Sequence, residues 1–556
     1  MTLKNQNKSF FEYSENIIVL FFFIGLAIIG YILHQDYGIS FDEESTRFHG
    51  LVSLNYICEL LFPNKKFEFQ INNFIPKLDE YEYREYGVFF EILLIAIIEI
   101  ILEIKNFSEI FYNRHFANHL LFIISIICFY FLCLDIFKNK LYSFLGATIL
   151  YTSPRIFAQS FYNDKDLVFL SFFIFLIFFS IKFIKKPVYY NAFLLACFSA
   201  IANNIRIIGI YVVILVAFFL IIQILMKNKL DLKKINSLLI LLFFNFLFLY
   251  ILWPFLWESP FDNIFYALKN FSKYPWGANV FYLGEFYKSE FLPWHYFFVL
   301  FFATTPLLLS IIIILGIYQI LLRFIKRFIN IDKNNSYKDI WRSEKEKIFL
   351  FIFITIITPL FLIYFFNSRL FNGWRHLYFL YPCLILTGIY FIDRMALIYS
   401  KKKMVLIFTL ILSIICINNL YNLIKLHPYQ YIYFNSIFEK RANKLFEIDY
   451  WGVSNKNFLE KIVKNNLEKD KIIIGVASFT DLYLSRKMLP ANLKNRIIIA
   501  GQEYQNADFI LNNNIFEINP KFNDKYSIPK TFEKYLSLKR GNILINEFYK
   551  KGDKLN

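Results

Sequence analysis

The chain alternates between long apolar blocks and short polar, mostly basic, connections. Runs of about 17–25 apolar residues are long enough to cross a bilayer as helices. About eleven satisfy that reading, near 17–34, 116–137, 141–157, 167–184, 188–203, 207–226, 235–255, 295–320, 348–366, 376–393 and 404–421. Gly87 to Glu103 (GVFFEILLIAIIEIILE) imitates a further span, but Glu91, Glu99 and Glu103 fall on one helical face. That spacing predicts a helix lying on the outer interface with its polar face to water. From about residue 440 the pattern changes. Short β-like runs at 471–477, 495–501, 507–513 and 541–549, with a helical stretch from Asn455 to Asn466, predict a small α/β domain. The fold class expected is therefore mostly α: a polytopic membrane domain over 17–421, after a cytoplasmic N-terminus at 1–16, followed by a C-terminal α/β domain over 422–556.

The polar connections give an orientation. Lys138 to Lys140, Lys182 to Lys186, Lys227 to Lys234, Arg323 to Lys347 and Arg394 to Lys403 occupy every second loop. With Met1 in the cytoplasm these are the cytoplasmic loops, as the bias of Lys and Arg toward that side requires. The exterior loops are then 35–115, 158–166, 204–206, 256–294, 367–375 and everything after about 422. No A-x-A site follows the first apolar run, so it reads as a retained signal anchor.

Composition agrees. The 556 residues are 57% hydrophobic and only 19% charged, with a mean hydropathy of +0.45. The formal charge of +17 sits in the orienting loops and brings no nucleic-acid motif with it. The six Cys lie mostly inside apolar runs without a CxxC pair, so they read as small core residues. No GxGxxG or P-loop is present.

Candidate chemistry gathers in the exterior loops. The first contains FDEESTRFHG, with Asp42, Glu43 and Arg47; the second contains SPRIFAQSFYNDKDL, with Arg155, Asp164, Lys165 and Asp166. Two acidic motifs far apart in sequence are thus placed on one membrane face. Paired carboxylates there suit removal of a proton from an acceptor hydroxyl, or divalent-cation binding by hard oxygen ligands. No cofactor is demanded; if a metal ion is used, Asp42, Asp164 and Asp166 are its candidate ligands. Arg206 follows Asn203-Asn204 in a very short turn, and Arg369 and Arg375 sit in NSRLFNGWRHLYFLYP. Such guanidinium groups either snorkel or clamp a lipid-linked phosphate. His376 beside Arg375 is a further substrate-contact candidate. The aromatic loop from Trp253 to Pro293, which includes Glu285, is a candidate wall of the site.

These motifs carry a resemblance. GISFDE after the first span resembles the Asp-Glu motif of the dolichyl-phosphate-mannose protein mannosyltransferase and aminoarabinose transferase families, polytopic glycosyltransferases of the C-type fold. SPRIFAQSFYNDKDL is similar to the second acidic motif of their bacterial relatives. WPFLWESP, LPWHYF, GWRHLYFLYP and HPYQYIYFN with DYWG resemble landmarks of an uncharacterised bacterial branch. The resemblance implies sugar transfer from a polyprenyl-phosphate donor to an exterior acceptor (an envelope glycan, a lipid or a protein) at a bacterial inner membrane. Asp42 would match the catalytic acid and Glu43 its neighbour. Asp164 or Asp166 would match the second acid. Lys165, Arg206 and Arg375 would meet the donor phosphate. The region after Asn422 does not look like a MIR domain, so protein O-mannosylation is not carried over. Two other classes stay open: a transporter or flippase of lipid-linked glycans, and a non-enzymatic membrane scaffold. Convergence of Asp42, Asp164 and Asp166 on one cavity is what separates an enzyme from a scaffold.

Overall fold

A computed structural model describes residues 3–64, 74–225, 231–272, 277–329, 343–399 and 402–552. Among the described residues, nine helices are long and apolar enough to cross a membrane: Asn16–Leu33, Phe107–Phe137, Asp166–Lys185, Ile207–Leu225, Leu232–Leu252, Leu307–Lys326, Glu344–Phe365, Arg375–Tyr399 and Lys403–Leu426. The protein is a multi-pass membrane protein.

Two of the eleven expected spans fall short of that length, and a third, 295–320, divides at Pro306 into Tyr296–Thr304 and Leu307–Ile329, the second of which is the spanning helix. The 141–157 run divides into Lys140–Thr152 and Pro154–Tyr162, because Pro154 has no N–H to continue the ladder and instead opens the second helix. The 188–203 run becomes Tyr189–Ile205, of 17 residues. Both stretches are largely covered by other helices: Ala147, Ile149, Leu150, Leu195 and Ala196 are fully buried.

The Gly87–Glu103 segment folds as helix Phe89–Ile95 and a π-helical turn, Ala96–Ile101. Glu103 is exposed as expected, but the other two acids of the expected polar face turn inward. Glu91 is buried against Arg114, Glu99 is buried against Arg47, and Leu93, Ile97 and Ile101 are exposed instead. Two arginines on neighbouring helices supply compensation for these two carboxylates, so they turn inward and the apolar residues outward.

Beyond Leu426 the chain builds a five-stranded mixed sheet. A separate hairpin, β1 (Asn279–Tyr282) and β2 (Glu285–Lys288), precedes it. The sheet contains β3 (Ile472–Val476), β4 (Ile497–Gly501), β5 (Phe509–Asn512), β6 (Phe532–Arg540) and β7 (Ile543–Lys551), in the order β4-β3-β5-β7-β6. β3 is parallel to β4 and β5, and β7 is antiparallel to β5 and β6. Helix Asn455–Lys464 packs on it through Phe458, whose ring lies 4.6 Å from Phe548. The apolar runs mark β3, β4, β5 and β7. β6 has no such mark because it is a partly exposed edge strand in which Glu533, Lys534 and Lys539 interrupt the apolar positions.

The sheet unit sits on the end of the helical region that bears the acidic motifs. Lys456 Nζ donates to the Gln35 carbonyl at 2.5 Å, Asn457 Nδ2 to that of Asp36 at 3.2 Å, and Lys487 meets Glu44 at 3.0 Å.

Candidate active site

Local structure brings the two acidic motifs together. Helix Phe41–Leu61 begins after Ser40, whose backbone N–H donates to Glu43 Oε2 at 2.6 Å. This places Asp42 in the first helical turn, where unsatisfied N–H groups favour an anion. Ser40 Oγ donates to the Tyr162 carbonyl at 3.2 Å, so the start of this helix is tied to the residue preceding Asn163 and Asp164. Asn163 in turn caps the next helix: its Oδ1 accepts from Asp166 N at 2.8 Å, and its Nδ2 donates to Asp166 Oδ2 at 3.3 Å.

One guanidinium then joins the motifs. Arg375 Nη1 lies 3.1 Å from Asp42 Oδ2 and 3.1 Å from Asp166 Oδ2. Its ζ carbon is stacked 4.9 Å from the Trp451 ring centroid and 5.1 Å from that of Phe371. Arg206 pairs with the other oxygen of Asp166. Asp164 faces away from this pair, toward Arg114 at 3.2 Å, which also binds Glu91. Burial and the charge of Glu91 hold Asp164 well above the usual carboxylate range, despite Arg114. Asp42, with 39% of its side chain exposed, is the accessible carboxylate of the three.

The donor set does not fit a metal ion. Each of Asp42, Asp164 and Asp166 is committed to an arginine. Among the described residues no group of three or more His, Cys, Asp or Glu is arranged to ligate one.

A cavity of about 1250 Å³ lies beside this cluster, lined by Asp42, Lys165, Arg206, Arg375 and His376 among others. Its described wall carries nine Lys and Arg side chains against four Asp and Glu, so its field favours an anion. Lys165 Nζ lies 3.2 Å from the ring centroid of Tyr86. Burial, assisted by Arg206, lowers its pKa to about 7, so an arriving anion would complete its protonation. Tyr86 stacks on His49 with centroids 4.8 Å apart, and His49 shares a 2.6 Å hydrogen bond with the Tyr81 hydroxyl. Burial holds His49 neutral, with a pKa of about 3.

The other candidates are placed as follows. Glu43 is fully buried, its Oε1 2.9 Å from His115 Nε2. Arg47 lines the cavity while binding Glu99 through two nitrogens, at 2.8 and 2.5 Å. Arg155 is buried away from the cavity lining, donating through Nε to the Tyr433 carbonyl at 2.9 Å and stacking 4.6 Å from Phe434. His376 lines the cavity and its ring meets Phe371 at 4.7 Å. Glu285 stands exposed on β2, accepting from the Tyr287 hydroxyl at 3.2 Å and outside the lining, whereas Asn279 and Val280 of β1 reach the cavity.

Several wall residues were not candidates from sequence. Glu447, Arg486, Lys487 and Lys494 reach the cavity from the C-terminal region, and His49 and Tyr86 from the first loop. The DYWG landmark was the available signal for part of this wall. Asp449 accepts from Val453 N and Ser454 N at 3.0 and 3.1 Å, fixing the turn. Tyr450 accepts from Gln159 at 3.1 Å, and Trp451 supports Arg375. Gly452 adopts φ +67°, where a Cβ would lie 2.7 Å from Asn455 Nδ2.

No family model matches the chain, and no curated protein matches it. Among solved structures, ArnT from Cupriavidus metallidurans in the apo state aligns at TM-score 0.45 and 10% identity, over 97% of this chain and 98% of that one. ArnT from the same organism bound to undecaprenyl phosphate aligns at TM-score 0.44 and 11% identity, over 96% and 98%. The similarity spans both chains almost end to end, but at these scores it carries no inference about chemistry.

Proposed function

We propose that this chain is a glycosyltransferase of the C-type fold. It moves a sugar from a polyprenyl-phosphate donor to an acceptor hydroxyl on the exterior face of a bacterial inner membrane. The observation that carries the reading is the meeting of Asp42, Asp166 and Arg375 beside a cavity rich in cations. Of the three carboxylates whose convergence separates an enzyme from a scaffold, Asp42 lines the cavity, Asp166 joins it through Arg375, and Asp164 turns toward Arg114, so the support rests on the Asp42–Arg375–Asp166 cluster. The sidedness has its own support. Lys138, Lys182 and Lys185 gather around Asp135 at the opposite end of the helix that begins at Asp166. Its 20 residues span about 30 Å, the thickness of the hydrocarbon core.

In this reading the donor phosphate is held by Lys165, Arg206 and Arg375, with its prenyl tail among apolar helices. The acceptor oxygen attacks the anomeric carbon. The bond from that carbon to the phosphate oxygen breaks, and its electron pair stays on the phosphate, where the cations offset the growing charge. Asp42 takes the proton from the acceptor hydroxyl. A single displacement inverts the anomeric centre. The acceptor is an envelope glycan, lipid or protein.

The test is mass spectrometry of envelope glycans and lipids from a deletion strain carrying either the parental gene or a variant. Asp42→Asn is expected to lower product formation by about 10²–10⁴-fold. If Asp42→Asn and the double change Asp164→Asn with Asp166→Asn both leave the product at the parental level, this assignment of the site is wrong.

A further inference from the structure

The cavity has a second polar locus, on the segment Phe446–Gly452. Its first residue is anchored twice: Phe446 forms a β-bridge with Tyr282 and stacks on Phe434, with centroids 5.3 Å apart. The segment presents two buried polar atoms, Glu447 Oε2 and Trp451 Nε1, that have no hydrogen-bond partner among the described residues. Both side chains line the cavity. The other oxygen of Glu447 is occupied, accepting from Phe281 N at 3.2 Å. The carboxyl is therefore held in place with one oxygen in reserve.

Buried polar groups in folded proteins are almost always satisfied, so an unpaired donor and an unpaired carboxyl oxygen on one short segment point to a ligand. Their chemistry narrows it. Indole N–H only donates, and a carboxyl accepts when ionised and donates when protonated. Burial raises Glu447 to about 7, so both forms are present near neutrality. A hydroxyl, which both donates and accepts, matches this pair; a phosphate does not suit an additional carboxylate. The Trp451 ring centroid is only 4.9 Å from the Arg375 ζ carbon, so a group attached to a phosphate held by Arg375 reaches this wall.

We infer that Glu447 and Trp451 form a hydroxyl-recognising subsite for the transferred sugar, and so set which sugar is moved. This rests on the glycosyl-transfer reading above.

The experiment measures binding to the full-length protein in nanodiscs. The probes are farnesyl phosphate and its glucosyl, mannosyl, galactosyl and arabinosyl esters. The parental protein is expected to bind at least one ester about ten-fold more tightly than farnesyl phosphate. Glu447→Ala is expected to bring that preference to within about two-fold while leaving farnesyl phosphate affinity unchanged. Glu447→Gln, which keeps an acceptor for Phe281 N and offers a donor to the sugar, is expected to retain the preference within about three-fold. Retention of the preference by Glu447→Ala overturns the subsite. So does an equal loss for farnesyl phosphate and its esters, or a parental protein that does not discriminate between them. A parental protein that binds no prenyl phosphate at all instead sinks the glycosyl-transfer reading.

Discussion

Replacing Arg375 by Lys keeps the charge and removes the geometry. The guanidinium meets Asp42 and Asp166 at 3.1 Å each while lying between Trp451 and Phe371. At 3.1 Å and an effective dielectric of about 20, one such pair of unit charges attracts by about 5 kcal/mol. Most of that offsets the desolvation of Asp166, whose side chain is 1% exposed. The Asp42 half is discounted, because that carboxylate is 39% exposed and screened. Complete removal, Arg375→Ala, leaves Asp166 with Arg206, so the stability cost falls at the lower end of the roughly 3–5 kcal/mol seen when a buried pair is broken. Lysine avoids much of that loss, but an ammonium cannot offer two parallel N–H donors to a phosphate or stack between two rings. Arg375→Lys is therefore expected to weaken undecaprenyl phosphate binding by about ten-fold and to reduce product formation by about 10²–10³-fold, with a near-parental melting temperature. Binding is measured on the full chain in nanodiscs, and product by mass spectrometry of the complemented deletion strain. Parental product formation by Arg375→Lys would refute the bidentate role. Parental stability of Arg375→Ala would refute the ion-pair energetics.

Two further predictions concern Lys165 and Gly87. Lys165 is lowered to about 7 in the folded protein, so its cationic form is lost as pH rises through that value, and undecaprenyl phosphate affinity should fall between about pH 6 and 8.5. Because the unfolded chain holds that proton up to the ordinary lysine range, the stability cost of Lys165 is full below pH 7 and fades toward about pH 10.5. Lys165→Met should therefore raise the melting temperature at pH 7 while weakening phosphate binding; a pH-independent affinity in the parental protein contradicts this. Gly87 allows close approach of the first loop to the Ile205–Arg206 turn: a Cβ there would lie 1.5 Å from the Asn204 carbonyl oxygen. Gly87→Ala should destabilise by more than about 3 kcal/mol, read as loss of folded protein after detergent extraction; normal yield and melting would show that the contact yields freely.

Where most of the spans lie was legible in the sequence because a bilayer imposes a single rule, enough apolar residues in a row. Their ends were less so, since the 116–137 run belongs to helix Phe107–Phe137 and the spanning part of 295–320 starts only at Leu307. The exceptions were positions where protein replaces lipid as the surroundings. Pro154 breaks one run inside a packed bundle, and Glu91 and Glu99 turn inward because Arg114 and Arg47 are waiting there. Strands β3, β4, β5 and β7 announced themselves by apolar runs, although β4 is itself an edge with Ile497 alone buried; in β6, exposed Glu533, Lys534 and Lys539 interrupt any such run.

The site divides in the same way. By itself the sequence determined which residues of the first two motifs carry charge, since FDEE and NDKD state their charges outright. It did not determine what those charges do. Asp42 and Asp166 are joined only because Ser40 is tied to Tyr162 and Arg375 arrives from more than two hundred residues away. Glu43, read as the neighbour of Asp42 in the acidic motif, is held in the interior by His115 and its own helix cap. Whether an ionisable side chain lines a cavity or braces a core depends on which charge and which ring are folded against it. That pairing is a property of the tertiary structure, not of any local stretch.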